Sequence, residues 1–279
     1  MNNSILLYIF YGLIAGFSEF TPVSASAHQA LFPMLLRFES TWPMLRFFVH
    51  AGALGSLVLL YWKRLTHIYQ QMRLVAMPPR RRKHPLDMDA VLDASLTMMA
   101  VIPALIGAVL SAFLFRKGAE LLWLAVLLIV GAVAIYVPDF VPGGDRRTGA
   151  MSRLEGFLFG LCAGCSIIPG ISRVGLILAV GLLRKCDRKY ILDLALLISG
   201  VMLVQLLLVD FISVLVTGFA GFSFRRFLGC LLAAVAAFGG GIGGIMMMRF
   251  LAVKTGFSGF AFYGWGLGLC CFLLYLMVS

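Results

Sequence analysis

Glu19, Ser24, Ser26 and His28 fall close together near the start of the chain, and Ser172 and Arg173 form a second group far downstream. A guanidinium beside hydroxyls and free backbone N–H groups suits phosphate, whose oxygens match its planar fork. A carboxylate there either holds a divalent cation that bridges phosphate oxygens or pairs with the arginine. A histidine in reach serves as general acid, base or nucleophile. Together these types describe a phosphate site, and the apolar sequence around them places it in a lipid-accessible cavity. A phospholipid-like or polyprenyl substrate follows. Each residue also has a plainer reading. Glu19 and Arg173 make a structural ion pair, and His28 is a helix-end histidine bonded to a carbonyl. His50, Asp93 and Asp210 read as packing or interface residues, and Asp193 as a cap near a helix start.

The elements that position these groups are repeated. Gly12-Leu13-Ile14-Ala15-Gly16-Phe17-Ser18 is echoed by Gly160-Leu161-Cys162-Ala163-Gly164-Cys165-Ser166. The first copy runs on through Pro22 to His28, the second through Pro169-Gly170-Ile171-Ser172-Arg173. Two Pro-broken apolar segments at matching places in two halves mark a membrane protein with duplicated architecture and a site at the repeat interface.

Composition fixes the class. Hydrophobic residues make up 61% of the chain and charged residues 13%, with a mean hydropathy of +0.99. A soluble domain of this length needs far more polar surface. Met1-Asn2-Asn3-Ser4 lacks the basic start of a cleavable signal peptide. Apolar runs bounded by charge predict crossings at roughly 47–62, 94–115, 121–138, 190–214, 227–248 and 259–278, each near the ~20 residues a bilayer requires and the first a little short. Segments 5–18 and 155–168 reach only about 21 Å as helices, short of a ~30 Å core. Pro22 and Pro169 then deny the chain a backbone donor. Residues 5–37 and 155–183 are therefore expected to form re-entrant helical hairpins. The fold class is an all-α integral membrane protein of about six transmembrane helices plus two such hairpins in an inverted-topology repeat, divided at 1–138 and 139–279.

The majority of the 23 Lys and Arg fall in 63–90, 139–153 and 184–189, with Arg249 and Lys254 on the same side. Arg37, Arg46, Arg116, Lys117, Arg225 and Arg226 make up the poorer side. The positive-inside rule makes the first group cytoplasmic and both termini external. The net charge of +11, and Arg80-Arg81-Arg82-Lys83 in particular, then reads as topology signal and contact with anionic lipid rather than as a nucleic-acid surface. Cys162 and Cys165 lack a second ligand pair for zinc; the remaining cysteines read as small apolar fillers, and Gly239 to Gly244 as sites of close helix contact.

At its polar residues the chain resembles the bacterial undecaprenyl-pyrophosphate phosphatases, also called the bacitracin-resistance family. Gly16-Phe17-Ser18-Glu19-Phe20-Thr21-Pro22-Val23-Ser24 through His28 is similar to the first motif of that family, and Pro169-Gly170-Ile171-Ser172-Arg173 to the start of its second. Phe48-Val49-His50-Ala51-Gly52, Tyr61-Trp62-Lys63-Arg64, Ile102-Pro103-Ala104 and Phe260-Ala261-Phe262-Tyr263 extend the likeness over nearly the whole chain.

The resemblance implies removal of a phosphate from the C55 isoprenyl pyrophosphate carrier at the outer face of the bacterial cytoplasmic membrane, with Mg²⁺ or Ca²⁺, for cell-wall synthesis. It implies Glu19, Ser24, His28 and Arg173 as catalytic, with Glu19 on the metal, and Gly170, Ser26, Ser172 and Arg173 as phosphate-binding. Expected partners are a polyprenyl pyrophosphate or polyprenyl phosphate, membrane lipids and a second copy as a homodimer, with no nucleic acid. The chain also departs from the family. Ala15 replaces an acidic or Gln residue one turn before Glu19, Ala25 the second serine hydroxyl, Val174 a serine, Ile177 a threonine and Ala163 a glutamine, while Ser26 stands for threonine. These losses favour an alternative: a translocase (flippase) or binding protein for polyprenyl phosphate or a related anionic lipid.

Overall fold

An apolar chain in a bilayer must satisfy its backbone internally, and helix is what this one forms. The computed structural model describes residues 4–38, 42–82, 84–114, 120–166, 168–217, 222–254 and 256–278, without side chains at 107, 108 and 110–114. Lys83, Arg116, Lys117 and Ile167, each part of a sequence expectation above, lie outside the described residues.

Among the described residues ten α-helices follow one another: α1 (Ile5–Glu19), α2 (Ala25–Leu36), α3 (Pro43–Ala76), α4 (Met88–Leu114), α5 (Leu121–Tyr136), α6 (Arg153–Cys165), α7 (Arg173–Leu183), α8 (Arg188–Thr217), α9 (Phe224–Lys254) and α10 (Gly259–Val278). Among the described residues, six are long and apolar enough to cross a membrane, namely α3, α4, α5 together with the helical turn that carries it on to Phe140, α8, α9 and α10. The four shorter ones form the pairs α1–α2 and α6–α7, where Pro22 and Pro169 interrupt the chain.

The expected boundaries move outward, as at α4 and α9, and most at α3. The crossing at 47–62 belongs to α3, which has 34 residues and reaches about 51 Å, well beyond a ~30 Å core. Lys63, Arg64 and Arg73 therefore ride on a helix that continues past the apolar layer, not in a loop. No Pro or Gly stands between Trp62 and Ala76 to stop it.

Helix pairing is reciprocal between the halves. α1 packs on α9 and α6 on α4, while α3 meets α8 and α5 meets α10. The first glycine of each repeat copy permits the first two pairings. A Cβ on Gly12 would lie 2.1 Å from the Ala233 carbonyl oxygen, and one on Gly160 2.5 Å from that of Ala100. Where lipid supplies no hydrophobic drive between helices, such backbone-to-backbone approach is what holds them. The glycine cluster on α9 is used selectively: Gly240 meets Leu13 closely, whereas Gly239 and Gly243 face open space.

Candidate active site

The two helix breaks are built alike. Ser18 and Ser166 each donate to the carbonyl three residues back, at 3.0 and 2.6 Å. Pro22 and Pro169 lack an N–H, so each helix stops and a new one must start with a cap. Ser24 Oγ accepts from Ala27 N to open α2, and Ser172 Oγ accepts from Gly175 N to open α7. Ser24 reaches its position only with φ at 60°, and Gly170 turns the second break with φ at 105°.

The tips then bond to each other. Gly170 N donates to Ser24 Oγ at 3.1 Å, and Ser172 Oγ donates to the Thr21 carbonyl at 3.2 Å. Ser26 Oγ adds a bond to the Ser166 carbonyl at 3.0 Å. In the common register Ala25 stands opposite Arg173, so the repeat supplies one scaffold twice and decorates each copy differently.

Beside the joined tips lies a cavity of about 390 Å³. Arg173 crosses between the hairpins and donates to Glu19 Oε2 at 2.5 Å, with its Nε on Ser199 Oγ at 3.1 Å. Gln29 donates its amide to the other carboxylate oxygen at 3.1 Å. From α3, His50 sets Nδ1 2.7 Å from Asp210 Oδ2 and Nε2 3.9 Å from Glu19 Oε1. Arg46, one turn earlier on α3, pairs with the second Asp210 oxygen at 3.1 Å and remains 40% exposed. Glu19, His50, Asp210 and Arg173 are all buried. A guanidinium at the floor and another at the rim give the cavity what a doubly charged phosphate group needs.

Of the residues singled out in the sequence, Glu19, Ser26, Ser172 and Arg173 line this cavity. Ser24, Gly170 and His28 do not. The Ser24 hydroxyl is buried and committed to Gly170 N, Ala27 N and Ser26 Oγ. Gly170 packs against α5 at Leu127. His28 turns toward α10, with Nδ1 2.9 Å from the Ser24 carbonyl and Nε2 2.6 Å from the Tyr263 hydroxyl. The replaced family positions behave differently from one another. Ala25 lines the cavity, whereas Ala15, Ala163, Val174 and Ile177 are buried in apolar packing.

His50, Asp210, Arg46 and Gln29 join the cavity although the sequence argued for none of them as chemistry. An intramembrane histidine and aspartate were the signal available. Their pairing, 160 residues apart in sequence, was not. Among the described residues no three His, Cys, Asp or Glu side chains gather as a metal site. Glu19, the carboxylate expected to hold a cation, already has one oxygen on Arg173 and the other on Gln29.

The model of the family described as "Bacitracin resistance protein BacA" matches residues 8–270. A protein of Thermodesulfovibrio yellowstonii named undecaprenyl-diphosphatase is 24% identical, covering 96% of each chain. Its namesake in Halothermothrix orenii is 25% identical over 97% of this chain and 98% of its own. Another, from Sinorhizobium medicae, is 31% identical over 67% of each chain.

Proposed function

This chain belongs to the bacitracin resistance protein BacA family, and from that membership we propose that it removes a phosphate from undecaprenyl pyrophosphate to leave undecaprenyl phosphate. The observation that carries the reading is the Glu19–Arg173 bridge between two interrupted helix pairs beside a cavity of about 390 Å³, roomy enough for a pyrophosphate group. The pyrophosphate enters with its terminal group between Arg173 and Arg46, and the isoprenyl chain leaves toward lipid. Hydrolysis returns the lipid carrier to cell-wall synthesis.

The cavity lies where α3 begins and α8 ends, opposite the end that gathers most Lys and Arg. On the positive-inside rule it opens to the outer face of the cytoplasmic membrane, with the hairpins 5–37 and 155–183 entering from opposite sides as the first elements of the halves 1–138 and 139–279. The expected divalent cation does not fit the donors present. Both carboxylates that line the cavity are already committed, Glu19 to Arg173 and Gln29 and Asp210 to Arg46 and His50, and the guanidiniums bonded to them repel a cation. No step here passes through a metal, and charge on the transferred group is met by the two arginines.

Phosphate release from C55 isoprenyl pyrophosphate by the purified protein in detergent tests the reading, beside Arg173→Lys. Lysine keeps the ion pair and loses the planar fork, so release falls about 100-fold. Saturable lipid binding without release by the wild type would overturn hydrolysis in favour of a translocase or binding protein.

A further inference from the structure

We propose that His50, oriented by Asp210, is the base that activates the attacking water in this cavity, a proposal that rests on the hydrolase reading above. Asp210 Oδ2 lies 2.7 Å from Nδ1 and selects the tautomer with the proton on that nitrogen. Nε2 then carries a lone pair on a residue that lines the cavity. Among the described residues it makes no hydrogen bond; Glu19 Oε1 lies 3.9 Å away, beyond bonding range. Two acceptors at that separation leave room for one water oxygen about 2.8 Å from each. Gln29 and Arg173 fix the Glu19 carboxylate, and Arg46 fixes Asp210, so both acceptors are held before substrate arrives.

His28 offers no such nitrogen. Both of its ring nitrogens are engaged, by the Ser24 carbonyl and the Tyr263 hydroxyl, on the far side of α2. Ser24 is equally occupied as a cap. His50 is the imidazole that the cavity contains.

The step balances with one base. The water gives a proton to His50 Nε2 as its oxygen bonds to the terminal phosphorus. The bond from that phosphorus to the bridging oxygen breaks, and its electron pair leaves with undecaprenyl phosphate. A phosphate anion departs without being protonated, so no separate acid is required. Arg173 and Arg46 take up charge on the non-bridging oxygens, and the proton leaves His50 through the open mouth. Asp210 is a positioning residue in this scheme.

The test uses full-length protein in detergent with C55 isoprenyl pyrophosphate. His50→Gln is expected to lose 10²- to 10⁴-fold in kcat with KM little changed, roughly the span of general-base catalysis. His50→Gly regains part of its turnover when imidazole is added, saturably. Asp210→Asn loses kcat and gains nothing from imidazole, because its histidine is still in place. A folded His50→Gln that keeps its kcat overturns the proposal and leaves the hydrolase reading standing. So does a loss confined to KM, or a His50→Gly that imidazole does not restore. A wild type that binds the lipid and releases nothing removes the hydrolase reading, and this proposal with it.

Discussion

Charges gather at both ends of the helix bundle, and the two gatherings are built differently. At the end where α3 and α8 start and finish with few basic residues, Glu19, Arg173, His50, Asp210 and Arg46 border an open cavity. At the other end Arg64 lies between Asp93 and Asp193, at 2.7 and 2.8 Å. There the remaining oxygens are filled as well. Thr148 and Tyr190 donate to Asp93 Oδ1, Tyr61 donates to Asp193 Oδ1, and Arg249 covers the Tyr61 ring at 4.4 Å. A closed network spends its donors on its own acceptors and can only contribute stability. The cavity keeps one histidine nitrogen and a partly exposed arginine in reserve. The same residue types serve different ends, and what separates them is whether the polar capacity is used up.

The largest effect expected from that difference is at the closed end. Arg64→Ala leaves two carboxylates facing each other without their cation, and removal of one partner from such a cluster costs about 3–5 kcal/mol. Thermal unfolding in detergent should drop accordingly, while phosphate release per folded molecule stays near that of the wild type. Loss of turnover at unchanged thermal stability would break the comparison, because it would place chemistry in the closed network.

A smaller change separates cap from nucleophile at the hairpin tips. Ser24→Ala removes the α2 cap and strips Gly170 N of its acceptor, worth about 1–2 kcal/mol of stability. Turnover should survive at a large fraction of the wild-type rate. Abolished turnover in a protein that still melts like the wild type would make the Ser24 hydroxyl the attacking group and break the assignment of Ser24 to scaffold.

Much of the scaffold was legible in the sequence because it depends on local rules. The Gly-Ser-Pro-Ser spacing of each repeat copy encodes a helix contact, a helix end and a new cap within a few residues. Gly12 and Gly160, Ser18 and Ser166, and Ser24 and Ser172 occupy matching roles. The pairing of Glu19 with Arg173 was one of two readings available, since both are costly inside a membrane. What stayed hidden was direction. Ser24 and Ser26 are two residues apart, yet only Ser26 lines the cavity, because the backbone at Ser24 takes a positive φ before α2 begins. His28, one turn into that helix, points at α10 for the same reason. His50 and Asp210 come together only through the packing of α3 on α8, which no local spacing records.

The smallest effect belongs to a second closed cluster at the basic end and sharpens the comparison through acid. Glu155 caps α6 reciprocally with Ser152 and accepts from Arg184 Nε at 2.6 Å and Arg146 at 3.0 Å. Burial alone would raise its carboxyl; the Ser152 N–H and the Arg184 and Arg146 guanidiniums outweigh that and hold it at about 2, below its ordinary 4.5. A carboxyl lowered on folding stabilises the folded state fully above its unfolded value, and the contribution fades as pH falls through the folded one. The stability owed to Glu155 is therefore constant from neutral pH down to 4.5 and declines from there toward 2. Across a titration from pH 7 to 4 only the beginning of that decline is visible, so the shift is slight and must be read as a difference. The thermal midpoint of the wild type minus that of Glu155→Gln should be flat above 4.5 and begin to shrink below it. A difference that instead grows as the solution is acidified would mean that the carboxyl is held protonated by the fold. The cluster would then be open in the sense the cavity is, and the contrast between the two ends would fail.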